Sequence, residues 1–449
     1  MIQKFFLTVF LFVLGAINAQ AQGPNITSWL QNTTGITGRH YVAGNSTPIV
    51  DAALANIQTV QYSTNWVYVS TNGIPAYITG PFLDGNPSIA QSQNAIFRMP
   101  LNPVQNTGTP TATTMGNIGI FVNGVAFFDH RDGVSWRNSS GSLAGGPLGG
   151  MGDNVWNRDA VVAERAGFDC AKGHPAMGNY HHHQNPSAFN LDLNVISNVC
   201  DLYAADGLYV LDSTAHAPLI GFAYDGFPVY GAFGYTNTNG TGGITRMKSG
   251  YQLRNITVRT HYANGTDVTD GPAVSATYPL GYFREDYEFV ASTDPDRLDE
   301  HNGRFCVTPE YPAGTYAYFC TVDENWNSAY PYIVGPTFYG TKVASRVNSI
   351  TEPTTIYTPS TTGLTNLVTD EASISIYPNP ASDVVAVQLK SFLNADCPVV
   401  LFDAQGRIVE RKILPQGSTI AYFDTRRLYA GEYLVLIGNV SRRVVLVKD

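Results

Sequence analysis

Ile118-Gly119-Ile120-Phe121-Val122-Asn123-Gly124-Val125-Ala126-Phe127-Phe128 is the stretch from which the fold is read. Two apolar runs, rich in β-branched and aromatic residues, flank Asn123-Gly124. Asn-Gly most readily supplies the two positive-φ positions of a tight hairpin turn, so the segment predicts two antiparallel strands. Similar runs lie on either side. Gln58 to Ser70 carries Val60, Tyr62, Trp66, Val67, Tyr68 and Val69 and is followed by the turn signal Asn72-Gly73-Ile74-Pro75. Leu208 to Leu211, Gly221 to Tyr224, Tyr287 to Val290 and Thr315 to Phe319 continue the pattern. Helix signals are few, and Asn157 to Ala166 is the best short candidate. The 43 glycines, 26 prolines and 26 tyrosines suit an antiparallel, loop-rich, mainly β architecture.

A second stretch carries the chemistry. Gly173-His174-Pro175 precedes Gly178-Asn179-Tyr180-His181-His182-His183-Gln184-Asn185-Pro186, so four of the chain's nine histidines fall close together. In an extended segment successive side chains point to opposite faces, which puts His181 and His183 on one face and Tyr180 and His182 on the other. Two imidazoles at i and i+2 can converge on one metal ion, with His174 a short loop upstream. Gly178 to His183 also echoes Gly314 to Phe319, since both open with Gly-x-Tyr; the two read as equivalent strands of a duplicated unit.

Composition bounds the function. Net charge is −9, only 14% of residues are charged, and there is no basic run. Nucleic-acid binding needs a positive stripe to displace counterions from phosphates, so that class is set aside. At the N-terminus, Lys4, an apolar run from Phe5 to Ile17 and Ala19-Gln20-Ala21 form the pattern of a secretory signal peptide, taken as residues 1–21. The run is short for a membrane span, and no later stretch matches it, so no transmembrane span is expected in the mature chain. Residues 23–341 read as one large β-rich domain, 342–370 as a Thr/Ser/Pro linker and 371–449 as a small β-sandwich. Cys170, Cys200, Cys306 and Cys320 lie in the large domain and Cys397 in the small one. In an oxidising compartment the four suggest two disulfides. Three connectivities are open, and short loops favour Cys170–Cys200 with Cys306–Cys320; a cysteine–His174 metal site is the weaker alternative because the spacing is not that of a zinc motif.

The histidine stretch, with His216-Ala217-Pro218, Tyr224-Asp225-Gly226-Phe227-Pro228-Val229-Tyr230-Gly231, Gly119 to Val125, Leu298 to Arg304, Gly314 to Tyr318 and Tyr330 to Gly335, resembles the YHYH domain family over about residues 55 to 340. This chain departs from the pattern at His182, where the name motif has Tyr, and at Ala317, where relatives often carry a second histidine. Ile376-Tyr377-Pro378-Asn379-Pro380-Ala381, Gly406-Arg407 and Ala430-Gly431-Glu432-Tyr433-Leu434-Val435 resemble the C-terminal sorting domain of the type IX secretion system of Bacteroidetes. That resemblance implies recognition by the type IX machinery, export across the outer membrane, and release or cell-surface attachment.

Several readings of the site stand side by side. The first is a metal site of His174, His181 and His183, completed by His216 or Asp225, with Cu or Zn as the metals that suit imidazole. Asp225 and Asp129 are carboxylates that can ligate or fix a histidine tautomer. The rival chemical reading is a histidine general acid or base near Asp225 or Glu300. The third is a non-catalytic binding or structural module whose histidines organise a polar core. Asp294, Asp296, Asp299, Glu300 and Asn302-Gly303 form an acidic loop in which Ca²⁺ is the weaker reading and a solvated turn the stronger, since the spacing is not that of an EF-hand. His182 is assigned to packing, and His40, His130 and His261 receive no role. The many aromatics read as core, with a glycan platform or small-molecule site as an option. No nucleophile elbow, phosphate loop or paired-carboxylate motif is recognisable, so substrate and reaction stay open.

Overall fold

The computed structural model describes residues 22–33, 35–45, 47–84, 88–169, 171–186, 213–324, 327–359, 374–389, 397–414, 420–437 and 440–448. The expected signal segment, Cys170, Cys200 and the Leu208 to Leu211 strand lie outside them. The chain forms two compact units, Met1–Tyr357 and Thr358–Asp449, whose regular elements are nearly all strands among the described residues. No helix among the described residues is long and apolar enough to cross a membrane.

An eight-stranded sheet dominates the first unit. In chain order its strands are β1 (Asn117–Phe121), β2 (Ala126–Phe128), β3 (Gly173–Ala176), β4 (Asn179–His182), β5 (Leu219–Ala223), β6 (Pro228–Tyr230), β7 (Gly303–Cys306) and β8 (Thr315–Phe319). Their spatial order is β3-β4-β2-β1-β5-β6-β8-β7. The Asn123-Gly124 turn closes the predicted hairpin: the Phe121 amide donates to the Val125 carbonyl, and Gly124 sits at φ +85°.

The sheet is two copies of one four-stranded unit. β1 pairs antiparallel with β2, and β5 with β6; each pair has a register shift at the same place, Asn117/Gly119 and Leu219/Gly221. β4 runs parallel to β2, and β8 parallel to β6. The terminal hairpins match residue for residue: Gly173 faces His182 and His174 faces His181, as Gly303 faces Tyr318 and Arg304 faces Ala317. The halves meet along β1 and β5, where Gly221 faces Phe121 and Ala223 faces Gly119 on either side of the central pair Phe222–Ile120. That register is symmetric under exchange of the halves.

Beneath this sheet, a five-stranded sheet contributes Val60, Val67, Val69 and Phe97 to a core shared with Ile120, Phe121, Phe222 and Val229. Gln58 to Ser70, read as one run, is itself a hairpin, Ile57–Tyr62 with Trp66–Thr71. Ser63 turns it, its hydroxyl accepting from the Asn65 and Trp66 amides. The segment expected as a linker over 342–370 is structured in part. Ser345–Val347 and Thr355–Tyr357 are the two edge strands of the five-stranded sheet, paired with Ala95–Pro100 and Ile57–Tyr62. An edge strand needs only main-chain hydrogen bonds, so the absence of apolar alternation did not reveal it.

The expected Cys306–Cys320 disulfide does not form; both thiols are free and buried. Register explains it. Cys306 lies opposite Thr315, and Cys320 is five residues further along that strand direction. At the rise of an extended chain that is about 16 Å, far beyond the Cα separation of about 7 Å that a disulfide tolerates. Sequence proximity of two cysteines says little when a hairpin carries them to opposite ends.

The second unit packs a three-stranded sheet (Ile374–Tyr377, Val384–Leu389, Ile420–Asp424) and a four-stranded sheet (Cys397–Asp403, Ile408–Leu414, Gly431–Ile437, Val440–Leu446) around one core. Along Gly431–Ile437 the alternate residues Tyr433, Val435 and Ile437 are buried, the period-2 pattern of a sandwich strand.

Candidate metal centre

The β3–β4 hairpin places the histidines. Its two-residue turn is Met177-Gly178, at φ +49° and +84°, the left-handed pair that matches the twist of adjoining strands. The turn sets His174 directly opposite His181, and His183 follows two residues on, so all three imidazoles share one face. Their ligand atoms lie within 4.8 Å of one another, and all three residues are buried.

Hydrogen bonds aim them. His181 Nδ1 lies 2.9 Å from the Asn179 carbonyl and His183 Nδ1 2.6 Å from the Asp129 carbonyl. A carbonyl only accepts, so each Nδ1 carries a proton and the Nε2 atoms face the common point. His181 Nε2 and His183 Nε2 are 3.1 Å apart. Two nitrogens bonded to one tetrahedral metal at 2.0–2.1 Å would stand about 3.3 Å apart, so the spacing is that of a ligand pair. These three side chains can hold a metal ion. Aromatic walls exclude water: the Phe128 ring stacks on His181 at 3.7 Å, and Phe168 meets His174 edge-on at 5.0 Å.

One participant was not read from the sequence. Glu164 Oε2 lies 3.2 Å from His174 Nε2 and 3.2 Å from His183 Nε2. Glu164 caps the one-turn helix Ala160–Ala163, whose start is fixed by Asp159 accepting from the Val161 and Val162 amides. It falls inside the predicted helix 157–166, but a lone glutamate on a short helix carries no motif; only the fold brings it to the imidazoles. Burial alone would raise the Glu164 carboxyl, yet the adjoining imidazoles of His174 and His183 hold it well below the usual range. His183 shows the reciprocal effect, burial lowering its pKa and Glu164 raising it to a net upward shift. His181 is pushed well below the ordinary value, by burial first and then by its two histidine neighbours.

His182 takes the opposite face, as the strand period requires. Its Nε2 is 2.8 Å from the Tyr77 hydroxyl, and burial lowers its pKa to about 3. The other proposed ligands are elsewhere. Asp225, in the turn between β5 and β6, accepts from the Tyr318 hydroxyl at 2.6 Å and the Gly340 amide at 2.8 Å. His216 sits among Tyr230, Tyr235 and Phe319, its Nδ1 2.8 Å from the Ala217 carbonyl. Both belong to the second half of the sheet. The acidic loop is a turn: Asp299 accepts from the His301 and Gly303 amides, and Asp296 pairs with Lys248 at 2.7 Å.

The second half is the internal control. Asp169 accepts from the Ala171 and Gly173 amides and the Tyr180 hydroxyl; Asp299 accepts from the His301 and Gly303 amides and the Tyr316 hydroxyl. Lys172 and Asn302 share a positive φ, +59° and +67°. A Cβ on Gly173 would lie 2.4 Å from the Tyr180 hydroxyl, and one on Gly303 2.4 Å from that of Tyr316. The supporting frame is thus kept in both copies. The three histidines are not: Arg304, Ala317 and Phe319 stand where His174, His181 and His183 stand in the first half. The Arg304 guanidinium lies over the Phe319 ring and donates to the Tyr235, Thr236 and Pro295 carbonyls. A cation built from the chain occupies the second copy's centre.

Comparisons with known proteins agree with the division. Residues 96–331 match the family model described as YHYH protein, and residues 375–448 match that of the secretion system C-terminal sorting domain. Among solved structures, a DUF3244 family protein from Bacteroides vulgatus with an immunoglobulin-like β-sandwich fold is 20% identical over 16% of this chain and 76% of its own, at a TM-score of 0.14. No curated protein matches the chain. The sorting domain marks the chain for type IX secretion to the cell surface or extracellular space. With the family model covering more than half of its length, the chain belongs to the YHYH protein family.

Proposed function

We propose that this exported YHYH protein is a transition-metal protein whose ion, Cu or Zn, is held by His174, His181 and His183. The observation that carries the reading is the duplicated frame. If the histidines served only to organise a polar core, the second half would need them too; it is built on the same aspartate, glycine and tyrosine with Arg304, Ala317 and Phe319 instead. Imidazole donors suit Cu and Zn, and the buried, aromatic-walled position suits a tightly held ion. His216 and Asp225 are left out of the ligand set because each has its own partners in the other half. The test is metal analysis of purified protein, for which about one Cu or Zn per chain is expected; protein that carries none and takes up none on dialysis against either metal contradicts it.

A second role, glycan binding, is favoured by a cavity of ≈ 510 Å³ at the far end of the sheet, lined in part by Phe227, Phe305, Tyr311, Tyr339, Asn102 and Gln105. Aromatic faces and amides without a charged lining side chain suit a neutral sugar. Calorimetric titration with neutral oligosaccharides, with Phe305→Ala as control, tests it; no heat above buffer with any of them ends this reading.

A further inference from the structure

The geometry points to Glu164 as a fourth, displaceable ligand that closes the three-histidine centre on its solvent side. This inference rests on the metal reading above and adds to it which residue decides whether an outside molecule can reach the ion.

Three observations converge. First, the Oε2 contacts of 3.2 Å to His174 and His183 are close to the ligand–ligand spacing of about 3.3 Å in a tetrahedral site. That oxygen is buried and makes no hydrogen bond, and the two imidazoles stand 3.2 Å from it. Second, the Glu164 side chain keeps 22% of its surface exposed, against 9% for His174 and 2% for His183. Glu164 is therefore more open to solvent than either imidazole it meets. Glu164 stands outside the group whose ligand atoms all lie within 4.8 Å of one another, and its Oε2 meets His174 and His183, which sets it on the His174–His183 side.

Third, the duplicated half repeats the arrangement with a different cation. Glu164 precedes the buried Asp169 by five residues; Asp294 precedes Asp299 by the same spacing. Asp294 is exposed and engaged in a turn with Ser292, but the next residue, Pro295, places its carbonyl on the Arg304 guanidinium. In both halves this segment delivers an oxygen to the cation position. In the second it is a fixed main-chain carbonyl over a fixed cation, and in the first a carboxylate on a rotatable side chain. A side-chain ligand can leave and admit a small anion or a neutral donor to the ion; a main-chain carbonyl cannot.

Loading with Co(II) alone tests this, because its visible spectrum reports coordination. Wild type, Glu164→Gln and Glu164→Ala are compared for Co(II) affinity, band positions and response to azide, with thermal melts of the metal-free proteins as a check on folding. Glu164→Ala is expected to bind Co(II) at least about 10-fold more weakly, the least that loss of a carboxylate merely supporting a ligand costs, to shift the bands, and to bind azide at lower concentration than wild type. Glu164→Gln, which keeps the oxygen but not the charge, should fall between. Wild type and both variants alike in affinity, spectrum and azide response would overturn the inference while leaving the metal reading intact. A wild type that binds no Co(II), Zn or Cu overturns both.

Discussion

His181 and Ala317 occupy the same point of two matching hairpins, His181 opposite His174 and Ala317 opposite Arg304. Between these positions the chain changes from a cluster of imidazoles to an apolar side chain beside a built-in guanidinium, while the strands, register and supporting aspartate stay the same. Frame and chemistry are thus separable in this molecule, and the predictions divide along that line.

Frame residues should move stability and leave the centre loaded. Tyr316→Phe removes a hydroxyl 2.8 Å from Asp299 Oδ1 and 3.0 Å from Oδ2, a buried partner whose loss is expected to cost about 1–3 kcal/mol. Chemical denaturation should show the lower midpoint, and metal content per folded chain should be unchanged.

Gly303→Ala should be at least as damaging. Its Cβ would sit 2.4 Å from the Tyr316 hydroxyl, so the tyrosine must leave Asp299 or the hairpin must part. Overpacking of this kind costs about 1–3 kcal/mol. The double variant Gly303→Ala/Tyr316→Ala should recover part of the Gly303 loss, which a pair of denaturation curves will read.

Acid sensitivity has a sign that can be assigned to one residue. Burial lowers His130 from 6.5 to about 3. Below pH 6.5 the unfolded chain takes up a proton that folded His130 refuses, so its contribution to stability is complete above that pH and lost as the pH falls. Asp159 and Asp169, raised by burial to about 7, act in the opposite sense, so total stability is the wrong observable. The difference between wild type and His130→Gln isolates it: wild type should lose about 2 kcal/mol more than the variant between pH 7 and pH 5.

The hairpin register forbids one disulfide. Peptide mapping under non-reducing conditions should recover no Cys306–Cys320 linked pair, because these residues sit at opposite ends of the β7–β8 hairpin.

Much of this was legible in the sequence, and the rest for definite reasons was not. Asn123-Gly124 announced its hairpin, although in the fold only Gly124 takes a positive φ, and the two faces of His181 and His182 followed from the pleat alone. The echo between Gly178–His183 and Gly314–Phe319 was visible, but the full duplication was not, since β3–β4 turns in two residues while the β7–β8 connection is longer. Ala317 reads as a missing ligand in sequence; in the fold it belongs to the copy whose cation is Arg304. Glu164 was hidden because its approach to His174 is a product of tertiary packing. The edge strands at Ser345–Val347 and Thr355–Tyr357 were hidden because main-chain pairing leaves no apolar signature.

If one metal ion sits on the face shared by His174, His181 and His183, paired alanine substitutions on the two faces of one strand must part in metal content. Metal content of purified wild type, His181→Ala, His183→Ala and His182→Ala is measured by mass spectrometry after equilibration with Zn or Cu. About one ion per chain is predicted for wild type and for His182→Ala, whose side chain faces Tyr77, and none above background for the other two. Metal lost with His182→Ala but kept with His181→Ala and His183→Ala would rule out a three-histidine site.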